Sequence, residues 1–340
     1  TRDWAAEYGV KNYYEFAGPC HQVMVEHGHA RPGELVVGTD SHTCTYGALG
    51  CFSTGIGSTE MAGVLMTGEI WLKVPGTIRA EWTGKLPDGV MAKDISLATI
   101  GAIGHGGATY KTVEFVGDTI SALCMDERLC IANMAVEMGA KAGLMESDGV
   151  TEDYLRSVGV TQALPPCKSD PGAVFERSCR WNAEELEPMV ACPHNVDNVH
   201  PVREVAKTKL DQIYIGSCTG GRYHDLAAAA RLLRGRKVAP GIRLLVSPAS
   251  REIYRACQKD GILETIADAG GVILASSCGA CLGLHSGAIG PGETCISTTN
   301  RNFIGRMGSE RSAVYLASPL TAAASALTGM ITDPREVEGL

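Results

Sequence analysis

Gln212-Ile-Tyr-Ile-Gly216, continued by Ser217-Cys-Thr-Gly-Gly-Arg222 and a helical stretch from His224, is the segment on which the fold turns. Branched and aromatic apolar residues read as a buried strand, and the glycines read as a tight strand-to-helix turn. The same grammar recurs downstream. Strand Ile242 to Ser247 precedes a helix from Ala249; strands follow at Val272 to Ala275, Thr294 to Thr298 and Ala313 to Ala317, the last leading into a helix from Pro319. Strands alternating with helices predict a mostly parallel sheet with helices on its faces. Ligands of such sheets sit beyond the carboxyl ends of the strands. Cys218, Cys278, Cys281, Asn300 and Arg301 all follow predicted strands.

Toward the amino terminus, Glu34-Leu-Val-Val-Gly38 reads as a buried strand ending in the polar turn Thr39-Asp-Ser-His-Thr43. Met61, Val64, Leu65 and Leu72 recur at helical spacing, predicting a helix over 59–72 that Pro75-Gly76 stops. Residues 77–83 alternate as a half-buried strand, followed by the turn Pro87-Asp-Gly89, a helix over 92–103 and a strand over 112–116. A further helix is expected over 126–142, where Asn133 and Glu137, four apart, share a face. Prolines 165, 166, 171, 188, 193 and 201 mark an irregular connection between 146 and 205. The expected architecture is α/β in three domains, over 1–75, 76–200 and 201–340.

A chain of 340 residues with 45% hydrophobic content, 41 glycines and only 5 phenylalanines suits an α/β enzyme with many tight turns. With 30 basic and 38 acidic residues the net charge is −8, which argues against a nucleic-acid or anionic-membrane partner. Thirteen cysteines scattered through a long chain, with no apolar leader at its start, fit a reducing compartment and a cytoplasmic location. No uninterrupted run of about 18 apolar residues occurs, so no membrane span is expected. The chain opens at Thr1 rather than at a methionine, as a processed or trimmed product would.

Cys218 and the pair Cys278-Gly-Ala-Cys281 supply three thiols, not four. An iron–sulfur cube held by four cysteines only moves electrons, whereas one held by three leaves an iron open to substrate. Two other readings remain: a zinc site, which wants a fourth protein ligand, and three small buried hydrophobes. Arg301 and Arg306, in Asn300-Arg-Asn-Phe-Ile-Gly-Arg306, suit a carboxylate site by their forked donors, against the alternative of two solvated arginines. Asp40, Ser41 and His42 on one turn, with His21 upstream, are material for proton transfer or a structural pair. Cys20, His42 and Cys44 also raise a metal site, although no ligand spacing repeats. Glu137 lies among Ala135, Val136 and Met138, so it belongs either to a solvated face or to a polar pocket with a cationic partner.

Together these pieces resemble the aconitase superfamily, most closely the large subunits of 3-isopropylmalate dehydratase and homoaconitase. Five motifs carry the likeness in order: Gly38-Thr-Asp-Ser-His42, Ala132-Asn-Met134, Gly216-Ser-Cys-Thr219, Cys278-x-x-Cys281, and Asn300-Arg-Asn-Phe303 with Gly305-Arg306. The resemblance implies a three-domain core lacking the swivelling domain. It implies a [4Fe-4S] cluster on Cys218, Cys278 and Cys281 with one iron not ligated by cysteine, and Asn133 and Asn300 bonding near it. Arg301 and Arg306 become carboxylate clamps, Ser41 a substrate-contacting hydroxyl, and His21 with Asp40 and His42 with Glu137 the acid–base pairs. The implied reaction is the dehydration and rehydration of a small hydroxy acid, completed by a small subunit. Homoaconitase, a methylmalate-type dehydratase, and a non-catalytic RNA-binding or sensory relative are the alternatives.

Three departures accompany the resemblance. Gly220 stands where many relatives have asparagine. Related chains begin further upstream with a segment that bears additional active-site residues, and this sequence is expected to lack it. A swivelling domain is not found after Pro334, and the resemblance implies that a separate small subunit supplies it.

Overall fold

Each sheet is completed before the next begins. In the computed structural model, which describes residues 1–338, Leu35–Gly38 (β1) pairs in parallel with Phe52–Gly55 (β2). Between them lies a 3-10 helix, Ser41–Leu49, capped by Asp40, whose Oδ1 accepts from His42 N at 2.7 Å. Helix Ser58–Thr67 follows and ends early, because Gly68 takes a left-handed backbone and its N–H closes on Val64 O at 2.8 Å. It therefore stops short of the expected residue 72, and none of its ten residues is buried. Periodicity identifies a helix without saying whether anything packs on its apolar face.

The second sheet is wholly parallel. It contains Thr77–Thr83 (β3), Thr112–Val116 (β4), Ala142–Met145 (β5) and Arg177–Asn182 (β6), in the order β5-β4-β3-β6. Trp82 of β3 is buried, stacks on Trp181 of β6 with centroids 5.1 Å apart, and donates to Thr99 Oγ1 of helix Ala92–Ile103 at 3.2 Å.

The helix expected over 126–142 is shorter than its apolar pattern suggests. An α-helix covers Met125–Asn133, a 3-10 turn covers Met134–Met138, and Gly139 leaves it with a left-handed backbone. Ala142 already belongs to β5. The small buried residues of β5 give no period that separates a strand from a helix. Asn133 and Glu137 consequently lie on different helical types, and the four-residue rule for a shared face does not apply to them.

The third sheet runs in the order β11-β10-β9-β12-β13-β7-β8. Its strands are Met189–Ala191 (β7), Val199–Pro201 (β8), Gln212–Gly216 (β9), Arg243–Ser247 (β10), Val272–Ile273 (β11), Thr294–Ser297 (β12) and Ala313–Ala317 (β13). The five from β9 to β13 are parallel neighbours, whereas β7 and β8 add an antiparallel edge. Pairing into this sheet begins at Met189; β7 and β8 are three-residue strands among prolines, too short for alternation to show in the sequence.

Two apolar cores result. One joins the first two sheets through Leu49, Ile78, Ile95, Phe115 and Leu129; the other surrounds β9 and β10 with Leu226, Ile253, Ile266 and Ala323. Among the described residues no helix is long and apolar enough to cross a membrane.

Candidate active site

The third sheet reverses its progress between β9 and β12. From β9 the chain moves outward to β10 and β11, then returns to the other side of β9 with β12. Loops leaving the carboxyl ends of β9 and β12 therefore diverge, and that gap is where open parallel sheets bind ligands. Cys218 lies two residues past the end of β9 and Asn300 three past the end of β12, so the topology sets them on either side of the gap.

The turn after β9 is firmly held. Ser217 has a left-handed backbone, φ 69°, which costs a residue with a side chain about 1–2 kcal/mol. Hydrogen bonds offset that strain: Thr298 Oγ1 accepts from Gly216 N at 2.8 Å and donates to Gly216 O at 2.9 Å, and Ser217 Oγ donates to Asn300 Oδ1 at 3.3 Å. A Cβ on Gly220 would meet Thr298 Oγ1 at 2.3 Å. Glycine at this position lets the cysteine turn close on the loop after β12.

Cys218 and Cys281 are buried and Cys278 is half-buried. Asn133 Nδ2 donates to Cys218 Sγ at 3.2 Å, and Asn300 Oδ1 stands 3.9 Å from the sulfurs of both Cys218 and Cys281. The two asparagine side chains are bonded to each other. Burial alone would raise every one of these thiols. Cys218 is nevertheless drawn down to about 5, because the charges of His21, His42 and Arg222 outweigh burial. Cys278 is pushed up to about 12 by burial and by the neighbouring sulfurs of Cys218 and Cys281. Burial likewise raises Cys281, with Arg306 acting against it.

Glu137 is the hub of a cluster of titratable side chains. It is buried, accepts from Arg301 Nε at 2.9 and 3.0 Å through its two oxygens, and meets His42 Nε2 at 2.9 Å. Burial pushes the Glu137 carboxyl up, but His42 and Arg301 hold it below its ordinary range. His42 is correspondingly raised, since Asp40 and Glu137 overcome the opposing effect of burial. Asp40 Oδ1 lies between the two imidazoles, 3.5 Å from His21 Nδ1 and 3.6 Å from His42 Nδ1, and is held far below the usual carboxylate range, chiefly by its bond with His42. His21 is raised well above an ordinary histidine despite burial, by the charge of Cys218 first. No hydrogen bond joins those two; the buried His21 Nε2 has no partner among the described residues.

The arginines divide their work. Arg301 spends its Nε on Glu137 and leaves the two terminal nitrogens of its fork without another bond among the described residues. Arg306 Nη2 is 3.9 Å from Cys281 Sγ, its guanidinium lies 5.4 Å from the Phe303 ring, and its buried Nε is unpartnered. Glu137 and Arg301 line a cavity of about 270 Å³ with His105, His194 and Phe303. Ser41 is exposed and lines a separate groove of about 500 Å³ with Asp40, not the Arg301 cavity.

This donor set can be tested against a metal group. Thiols are soft ligands, suited to iron–sulfur and zinc chemistry. Sulfurs at about 2.3 Å from a single zinc ion would stand about 4 Å apart, and among the described residues no three His, Cys, Asp or Glu side chains close around one ion. The set of Cys20, His42 and Cys44 is no exception: Cys20 is exposed, and Cys44 Sγ donates to Asn133 O at 3.3 Å. Three thiols that do not close around one ion, that of Cys218 drawn low by its cationic neighbours, with an unpartnered imidazole nitrogen and guanidinium nitrogen beside them, suit a larger bridging core better than a single zinc.

Some participants carry no recognisable signal. Thr45 Oγ1 accepts from Asn133 Nδ2 at 2.8 Å because the 3-10 turn brings it under His42. Arg222 is fully buried and donates through Nε to Gln22 Oε1 at 3.0 Å, next to His21. Lys93, also buried, reaches the same loops from helix Ala92–Ile103. Each contact spans tens to hundreds of residues, where local pattern is silent.

Residues 2–212 and 202–329 match the aconitase family, described as aconitate hydratase. The chain is similar to 3-isopropylmalate dehydratase large subunit 1 of Methanopyrus kandleri, at 50% identity over 335 residues, covering 98% of this chain and 80% of that protein. A Methanosarcina mazei protein named "Probable 3-isopropylmalate dehydratase large subunit" is 52% identical over 337 residues, 99% of this chain and 80% of its own length. Another from that organism, "Probable methanogen homoaconitase large subunit", is 50% identical over 337 residues, covering 99% and 85%.

Proposed function

The chain belongs to the aconitase family, and from that membership we propose that it is the large subunit of an iron–sulfur hydro-lyase isomerising a 2-hydroxy di- or tricarboxylic acid. 3-Isopropylmalate is the first candidate substrate. The homoaconitase-named relative is as similar as the dehydratase-named ones, which keeps a homocitrate-type substrate as the second reading. The observation that carries the proposal is the meeting of Cys218, Cys281, Asn133 and Asn300 at the sheet's switch point, beside two arginines and two histidine–carboxylate pairs.

Cys218, Cys278 and Cys281 would hold a [4Fe-4S] cluster, leaving one iron without a cysteine. When bound, that iron supplies a Lewis acid for a departing hydroxide. Asn133 and Asn300 orient the sulfurs, since hydrogen bonds to metal ligands fix their geometry. Arg301 offers its terminal nitrogens to one substrate carboxylate, while its Nε keeps Glu137 in place. Arg306 serves a second carboxylate at the cysteine side. His21 Nε2 is free to give a proton to the leaving hydroxyl, with Asp40 at Nδ1 keeping the ring charged. His42 and Glu137 hold a second proton between Nε2 and Oε1. Ser41 contacts substrate from the adjoining groove, and a small subunit with the swivelling domain would close the site and supply the base that takes the proton from the neighbouring carbon as the double bond forms.

The test is anaerobic co-expression with a small subunit, iron analysis, and assay on 3-isopropylmalate, homocitrate, citrate and methylmalates. Expected are about four irons per chain and turnover of one of these acids. Full activity in iron-free, zinc-bearing protein overturns the cofactor. Retention on RNA at moderate salt, with no dehydratase activity, favours a binding protein instead; the net charge of −8 stands against that outcome.

A further inference from the structure

Lys93 sits in the first turn of helix Ala92–Ile103, which connects β3 to β4 in the chain, and is 1% exposed. An ammonium group has three N–H donors. All three are used: Lys93 Nζ donates to Thr219 Oγ1 at 3.2 Å, to Thr298 O at 3.2 Å and to Thr299 O at 2.8 Å. The first acceptor belongs to the turn after β9 and directly follows Cys218. The other two belong to the loop after β12 and directly precede Asn300 and Arg301. One side chain from the helix between β3 and β4 thus ties together both loops of the switch point.

The anchor of that side chain is itself fixed. Asp94, the next residue, accepts from Met91 N and from Met189 N, each at 2.8 Å, which pins the start of the helix to its own cap and to β7. Thr219 Oγ1 also donates to Thr298 O at 2.9 Å, so lysine, hydroxyl and carbonyl form a closed set of bonds. A buried ammonium is tolerated only when fully paired, and these acceptors lie at fixed places on two separate loops. Displacing either loop leaves a buried charge or carbonyl without its partner.

We propose that Lys93 is a positioning residue, a latch that holds the Cys218 turn and the Asn300–Arg301 loop in one register across the switch point. The latch is a property of the protein's own loops; the chemistry those loops serve rests on the function proposed above. Outer hydrogen-bond partners of this kind change metal affinity or activity by about 10- to 100-fold.

Cysteine alkylation in the cluster-free chain, read site by site by mass spectrometry, tests the latch without any cofactor. Lys93→Met keeps the aliphatic stem and removes the three donors. Local opening exposes a segment while the rest stays protected, so labelling of Cys218 and Cys281 should accelerate about tenfold or more. The buried reference thiols Cys51 and Cys257 should keep their wild-type rates. If Lys93→Met does not fold, Thr219→Val decides, since it keeps the lysine and removes one acceptor; a smaller acceleration, about threefold, should appear at the same two thiols. Equal acceleration at all four thiols in Thr219→Val, or no change in either variant, overturns the latch. Iron uptake by the wild-type chain is measured in parallel, and its failure would count against the cluster alone.

Discussion

Replacing Arg301 by lysine separates positive charge from the geometry of the guanidinium. Arg301 performs two tasks with different nitrogens: Nε donates to both Glu137 oxygens at 2.9 and 3.0 Å, and the terminal pair remains for a carboxylate. An ammonium has one nitrogen for both tasks. The Arg301 side chain is 24% exposed, so the lost bond is partly solvated, and a hydrogen bond to a charged group is worth about 1.5–3 kcal/mol. Losing one such bond in the transition state lowers kcat/KM by about 10- to 150-fold. Arg301 bonds to none of the three cysteines, so iron content should stay at the wild-type level. Glu137 would also lose part of what holds its carboxyl down against burial; its pKa rises, and an acid limb of kcat/KM that depends on it moves to higher pH. The assay pairs steady-state kinetics of the co-expressed complex with iron per chain. A variant within twofold of wild type, or one whose iron falls in step with its activity, would refute the division of labour between Nε and the terminal nitrogens.

Cys218→Ser should abolish cluster assembly, and an intact cluster by absorbance and iron analysis in that variant would remove Cys218 from the ligand set. Asn133→Ala removes the donor at 3.2 Å from Cys218 Sγ and should weaken cluster retention during chelator challenge by about 10- to 100-fold; retention equal to wild type would deny Asn133 that part. Away from the site, Asp148 accepts from the buried Arg128 at 2.8 and 2.7 Å, and these bonds and its helix-cap bonds hold its carboxyl below the ordinary range against the effect of burial. A carboxyl lowered in the folded state stabilises above its unfolded pKa, and that stability is lost as pH falls through the folded value. Asp148→Asn should therefore cost about 1–2 kcal/mol at neutral pH, allowing for the partly exposed carboxylate, and the gap to wild type should narrow below about pH 4. Urea unfolding at several pH values checks it; a gap that widens in acid contradicts the ion pair.

The parallel sheet around β9 was legible because each of its longer strands is a local apolar run bounded by a turn, and the switch-point rule then marks the strand ends where Cys218 and Asn300 lie. The short strands β7 and β8 were not, since three residues between prolines carry no period. The early end of the helix at Asn133 was hidden for a related reason: the residues of β5 are small and apolar, equally suited to the middle of a helix. Helix Ser58–Thr67 shows the opposite gap, a correct period in which Met61 and Val64 are only half-buried and no residue is fully covered.

For the site, residue type and order already announced three thiols, two arginine forks and a turn bearing Asp40, Ser41 and His42, whereas the two histidine–carboxylate pairs came only with the family resemblance. That information is local, because a turn following a strand is encoded by neighbours in the chain. Which groups meet was decided by tertiary structure. Glu137 is joined to both His42 and Arg301, 95 and 164 residues away, and Lys93 to Thr219 and Thr299, 126 and 206 residues away. Hydrogen bonds act over about 3 Å, so such partnerships exist only once the sheets have packed; until then the same side chains are separate solvated groups.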